Sequence, residues 1–302
     1  LASDLSYVER GLFDYFAPEK PGERDGSVTL CTASSAYAEC ELSAAKILSL
    51  VQNGARFRDM NVCARNFSDY APLLEAVFKR YGIPVFLDQR EPVTSLSPVL
   101  SVVALLRAAA YGRRTEDMLR LLKTGFSPLS REEADELENY ALMWRISGRA
   151  WAHPFTANPD GYGRVLDGDS LKKLDRLEDL RGRFVGPVLD FEKNAERDMT
   201  VKGMSSALYI YLERTGFHGM VQTRADALES EGKPQLAYIY RQVTQMFCDC
   251  FDQLVLTLGS NETDFKEYSR LFELMLSGKN IGSIPTALDC VCAGEAGRMR
   301  FD

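Results

Sequence analysis

The stretch that most constrains this chain is Asp59–Gln89, DMNVCARNFSDYAPLLEAVFKRYGIPVFLDQ. Met60, Val62 and Ala64 alternate with Asn61, Cys63 and Arg65, the period of a strand. Tyr70, Leu73, Leu74, Val77, Phe78 and Tyr81 then recur at helical spacing and form one apolar stripe. Pro84 punctuates entry into the apolar run Val85–Leu87, a second strand. Two parallel strands joined by a helix imply a right-handed βαβ crossover. The chain is therefore expected to build an α/β layer around residues 59–89.

Extending the reading upstream enlarges that layer. Leu5, Val8, Leu12, Phe13 and Phe16 fall at helical spacing, and Ala17–Ser27 is a loop rich in Pro, Gly and charge. Val28–Ala33 is a strand candidate. Ser34 and Ser35 can cap a helix with Cys40, Ala44, Ile47, Leu48 and Val51 on one face, and Gly54 can end it. Residues 28–89 thus read β-α-β-α-β, the beginning of a parallel three-layer sandwich.

After Gln89 the pattern becomes helical and stays so. Pro98–Tyr111 is apolar almost all round, the signature of a buried helix. Thr115–Lys123 follows, and Ser130–Ile146 opens with the capping-box pair Ser130 and Glu133. Residues 152–169 read as loop. Ser170–Glu196 is helical with a break or kink expected at Gly186–Pro187. Met204–Thr215, Gln235–Leu258 and Asp264–Leu276 complete the helices, and Ile281–Val291 is a loop entering a strand or short helix. The expected division is a partial α/β domain at 1–97, a helical domain at 98–278 and a segment at 279–302 returning towards the α/β domain.

Composition narrows the function classes. The 302 residues carry a net charge of −7, which does not favour autonomous tight binding to a phosphate backbone. No apolar run is long enough to span a bilayer. Leu1 stands where an initiator Met or a signal peptide would be, suggesting a piece of a longer chain. The seven cysteines lie mostly in apolar runs, as reduced cytosolic thiols do. Their two C-x-C pairs, Cys248/Cys250 and Cys290/Cys292, lack the usual spacing of structural zinc knuckles, and only His153 and His218 could complete a metal set.

Catalytic constellations are missing. There is no phosphate-cradling loop before Lys123–Thr124, and no H-E-x-x-H, G-x-S-x-G or G-x-G-x-x-G. A nuclease core needs convergent carboxylates and a Lys. Pro159–Asp160 and Glu231–Lys233 lie too far apart in loop and helix to supply them. Arg113–Arg114, Lys172–Lys173–Arg176 and Arg181–Arg183 could meet phosphates. The preferred reading is solvated helix faces neutralised by the interleaved Glu116, Asp117, Asp175, Glu178 and Asp179, since an interspersed pattern builds no field of one sign. Arg65, followed by Asn66, ends a parallel strand, where open α/β sheets present ligand groups; its alternative role is a plain strand-end charge.

These residues carry a resemblance. Asp59, Val62, Arg65, Asn66 and Tyr70 fit D-x-x-V-x-x-R-[ND]-x-x-x-Y, and Glu75–Asp88 reads E-A-V-F-K-x-Y-G-I-P-V-F-L-D. Ala38–Glu41, Leu121–Phe126, Leu137–Tyr140 with Trp151, Ile284–Asp289 and Gly297–Arg300 agree as well. Together they resemble the B subunits of the AddAB (RexAB) helicase–nucleases, in the segment where UvrD-like motors hold their second motor domain and its 2B insertion. The match runs along nearly the whole chain and is most specific at 59–88 and 121–151.

The resemblance implies a RecA-like α/β domain with a large all-α insertion. It implies a cytoplasmic role in DNA double-strand-break repair and end resection, with an A-type helicase–nuclease subunit and single- and double-stranded DNA as partners. ATP, Mg²⁺ and a [4Fe–4S] cluster would belong to parts of such subunits outside these residues, so no catalytic, cofactor or metal residue is expected here. Arg65 and Asn66 are the DNA-contact candidates. The rival reading is an independent helical adaptor with a Rossmann-like head binding a protein or small ligand.

Overall fold

The computed structural model describes residues 3–12, 15, 25–88, 91–281 and 288–299. The first elements are helices α1 (Ser3–Gly11) and α2 (Ala36–Gln52), strand β1 (Asn61–Ala64), helix α3 (Phe67–Tyr81) and strand β2 (Val85–Leu87). A short strand β3 (Glu91–Pro92) precedes α4 (Ser97–Ala110), α5 (Thr115–Lys123), α6 (Arg131–Met143) and α7 (Gly168–Ala195). Then come α8 (Val201–Arg214), α9 (Phe217–Ser230), α10 (Pro234–Leu258), α11 (Phe265–Ser277), β4 (Asn280–Ile281) and β5 (Val291–Glu295). The chain divides into two compact units, Leu1–Asp88 with Ala287–Asp302, and Gln89–Thr286.

In the α/β unit the three strands are parallel in the order β1-β5-β2. The expected β1–α3–β2 crossover is present, but its two strands do not touch: β5 lies between them and pairs with both. Val62, Ala293 and Leu87 share one row, and Cys63 pairs with Gly294. On β5, Val291 and Ala293 are fully buried against α3, with Cys40, Ala44 and Ile47 of α2 completing that core. The face of α3 that goes inside is centred on Phe67, Ala71, Leu74, Val77 and Phe78, so Tyr81, the last residue of the expected stripe, is left exposed. Gly82 ends α3 at φ 67°, a left-handed residue that a side chain would disfavour.

One expectation is corrected. Val28–Ala33 pairs with no strand among the described residues; Leu30 is almost wholly exposed, because β propensity forms a strand only where a partner edge is available. The segment Phe13–Phe16 and the loop at 17–24 lie outside the described residues apart from Tyr15, as do Ile284–Ala287 and Arg300 of the motifs quoted above.

The helical unit is one continuous apolar core. Trp151, Phe184, Phe191, Phe217, Phe247, Phe272 and Tyr268 are buried within it. Ring contacts chain Trp151 to Phe184 at 6.3 Å and Phe247 to Phe272 at 5.8 Å. Burying seven such rings contributes strongly to the stability of this unit, since each removes ~150–250 Å² from water. Ser130 and Glu133 form the expected capping box, Ser130 Oγ accepting from the Glu133 N–H at 3.3 Å and Glu133 Oε2 from the Ser130 N–H at 2.8 Å. α7 runs through Gly186–Pro187 without a break in its helical assignment. Phe184, Val185, Val188 and Phe191 are buried on both sides of the proline, and their packing offsets its missing donor. α9 is an additional helix whose buried residues are Phe217, Val221, Ala225 and Leu228.

Candidate functional site

The carboxyl end of β1 opens into a cleft of about 530 Å³. Its walls come from α2, β1 and the first turns of α3. This placement follows from chain direction: parallel strands deliver the residues after them to one edge, where helix N-termini also gather. Arg65 and Asn66, the two candidates read from the sequence, both line the cleft. Asp69, Tyr70 and Glu39 line it with them.

Arg65 is exposed, and its side chain makes no hydrogen bond or ion pair among the described residues. Asn66 is the N-cap of α3, yet its side chain accepts no N–H from the helix; only its carbonyl is engaged, by the Asp69 N–H at 3.2 Å. The free N–H groups at a helix start carry partial positive charge, which adds to that of Arg65. Across the cleft, the Tyr70 hydroxyl donates to Glu39 Oε2 at 2.6 Å. That bond, and then the Glu39 charge, raise the Tyr70 phenol above its ordinary pKa and keep it a hydrogen-bond donor. The Tyr70–Glu39 contact is invisible to motif reading, since its members stand 31 residues apart. Its only trace is that both belong to quoted motifs.

Cys63 lies on the strand inside the cleft, and its thiol donates to Met299 Sδ at 3.7 Å. Burial raises its pKa, the opposite of what an activated nucleophile requires. The groups in the cleft thus offer a guanidinium, an amide, a phenol and two carboxylates, a set suited to holding a polar ligand.

The remaining candidates resolve into local pairs. Asp160 is held by Lys173 at 2.5 Å and Ser170 at 2.8 Å, and Glu231 by Lys233 at 3.0 Å and Arg224 at 2.9 Å. Both carboxyls are thereby held below their ordinary pKa, Asp160 chiefly by Lys173 and Glu231 chiefly by Lys233. Arg176 pairs with Glu136 of α6 at 2.8 Å; Arg183 pairs with Glu133 of α6 at 2.7 Å and with its α7 neighbour Asp179 at 3.7 Å, and Arg181 with Glu178 on α7 itself, the expected intrahelical partners. Arg113 is drawn into a partly buried pair with Glu192. Arg114 has no carboxylate partner among the described residues.

Of the cysteines, Cys40, Cys250 and Cys290 are buried, Cys248 and Cys292 half-buried, and Cys31 and Cys63 exposed. Among the described residues no three His, Cys, Asp or Glu side chains converge to hold a metal ion. His218 Nδ1 lies 3.1 Å from Thr244 Oγ1, and His153 is exposed on its loop. No described helix is long and apolar enough to cross a membrane.

Known proteins share similarity along nearly the whole chain. The chain is 31% identical over 309 aligned residues to the B subunit of the ATP-dependent helicase/deoxyribonuclease of Desulforudis audaxviator, with 98% of this chain covered. The chain belongs to the family of helicase/deoxyribonuclease B subunits. Proteins of the same name from Acetivibrio thermocellus and Alkaliphilus metalliredigens match at 29% and 26% identity, each again over 98% of the chain. The chain spans about a quarter (26%) of the length of these relatives. No family model matches it.

Proposed function

We propose that this chain is the non-catalytic central portion of a helicase–nuclease B subunit that acts in bacterial DNA double-strand-break repair, where it guides a DNA strand and scaffolds the enzyme during end resection. The observation that carries the proposal is the match to B-subunit relatives along 98% of the chain. The free Arg65, the uncapped start of α3 and the absence of an activated nucleophile among the described residues of the cleft support a binding role over a chemical one.

In this reading the α/β unit is part of a RecA-like motor domain, with Val291–Glu295 as its returning strand, and the helical unit is its 2B-type insertion. The partner is an A-type helicase–nuclease subunit acting on single- and double-stranded DNA in the cytoplasm. ATP, Mg²⁺ and a [4Fe–4S] cluster belong to other parts of the assembly. Arg65 contacts a DNA phosphate and Asn66 orients beside it at the start of α3.

Incubating the purified chain with ATP, Mg²⁺ and labelled linear DNA tests the division of labour. Neither ATP hydrolysis nor shortened DNA is expected. Metal-dependent cutting that co-purifies with the chain through successive columns would overturn the proposal.

A further inference from the structure

A second positively charged feature lies in the helical unit. Three cations converge on one aromatic ring there: the charged groups of Arg107, Arg114 and Lys266 stand 5.6, 4.9 and 5.5 Å from the centroid of Tyr111. Local geometry brings them together. Arg107 precedes Tyr111 by one turn of α4, so the two share a face. Gly112 and Arg113, at φ 68° and 58°, then reverse the chain so that Arg114 returns over the ring as α5 begins. Lys266 comes from the first turn of α11, which packs along α4, and the exposed Arg270 follows one turn later on the same face.

Gathering like charges is unfavourable unless something offsets it. Cation–π attraction at an exposed ring is weak and does not by itself offset it. One carboxylate is bonded within the group, Asp117, whose Oδ1 lies 3.4 Å from Arg107 Nε. Arg114 and Lys266 have no ion-pair partner among the described residues. Nearby acids are Glu116 on α5 and Asp264 and Glu267 beside Lys266, with Asp264 occupied in capping α11 through the Glu267 N–H at 2.8 Å. The cluster keeps an excess of positive charge around a ring that is 41% exposed, in a chain whose net charge is −7. An exposed ring beside cations that outnumber their bonded carboxylate is the pairing that single-stranded nucleic acid uses: a base stacks on the ring by displacing one of the cations over it, and phosphates meet the cations.

We propose that Tyr111, Arg107, Arg114 and Lys266 form a contact site for a single strand of DNA. The choice of DNA among polyanions rests on the function proposed above; the convergence of charge on the ring does not.

The test is fluorescence anisotropy of a labelled oligodeoxythymidylate with the 302-residue chain across a salt series. Combining Arg114→Gln with Lys266→Gln should weaken binding at least ~10-fold and flatten the log–log salt slope by about 1.4, at roughly 0.7 per phosphate contact on a single strand. Tyr111→Leu should weaken binding about 5- to 150-fold, the range of one lost stacking contact, with the slope unchanged. Lys46→Gln, an exposed position on α2, is the control and should bind as the parent does.

Cluster variants that bind as the parent does, or a control that loses as much as they do, overturn the inference. Displacement of the oligonucleotide by inorganic tripolyphosphate at equal phosphate concentration reassigns the cluster as a simple anion site and also overturns it. Arg65→Ala in the same assay separates the two claims. If Arg65→Ala weakens binding and the cluster variants do not, this inference fails while the strand-guiding role stands. A parent chain that binds no single strand at low salt ends both.

Discussion

The two units spend their charged residues differently. In the helical unit, cations of α7 are tied to carboxylates on α6 or on neighbouring loops, as in Arg176–Glu136, Arg183–Glu133 and Lys173–Asp160. In the α/β unit, Arg65 stands unpaired at a strand end, beside a helix cap whose amide bonds nothing among the described residues. The difference teaches that charge abundance is a poor guide to function. The helical unit's conspicuous basic runs are largely neutralised, and the informative cations are those left over: Arg65, and the group around Tyr111.

The contrast can be broken most severely through the cores. Trp151→Ala removes a fully buried ring packed against Phe155 and Phe184 and should cost the helical unit ~3–5 kcal/mol. Leu74→Ala in the α/β core should cost ~2–5 kcal/mol. Urea unfolding followed by hydrogen exchange checks both. Each loss should appear in protection of its own unit, and an equal loss across both units from either variant would contradict their compactness as separate bodies.

A smaller effect is expected at the capping box. Ser130→Ala should destabilise the helical unit by ~1 kcal/mol, seen as a lower urea midpoint with unchanged slope.

Smaller again, and sharper in meaning, is a pH effect. The hydrogen bond from Arg183, helped by the Ser130 N–H, lowers the Glu133 carboxyl from 4.5 to about 2. A depressed folded-state pKa contributes stability above the unfolded value, and that stability is lost as pH falls from 4.5 towards 2. Arg183→Gln should therefore narrow the stability difference between neutral and acid pH. A stability profile identical to the parent's would show that the pair is solvated and inert.

What can be read from the sequence is local. The alternation in β1, the stripe of α3 and the Ser130–Glu133 box are each decided by neighbours within a few residues, and all three are present. The position of β5 is not readable, because parallel pairing joins Asn61 to Cys292 across most of the chain and leaves no periodic trace in between. Val28–Ala33 fails the other way: its β-branched residues state a preference that no described strand answers. α9 is hard to read because its buried residues, spaced Phe217, Val221, Ala225 and Leu228, are interleaved with Gly219 and polar side chains. Arg65 is legible as a strand end. Its surroundings are not, since Glu39 reaches the cleft only through the packing of α2 on α3.

The most direct test of the central claim, that this chain guides DNA and performs no chemistry, is the resection rate of linear duplex DNA by the complete two-subunit enzyme carrying Arg65→Ala. The account predicts slower resection, with ATP hydrolysis and nuclease cleavage of short single strands retained and with the circular dichroism spectrum unchanged. A resection rate equal to the parent's would contradict it and return Arg65 to the role of a strand-end charge.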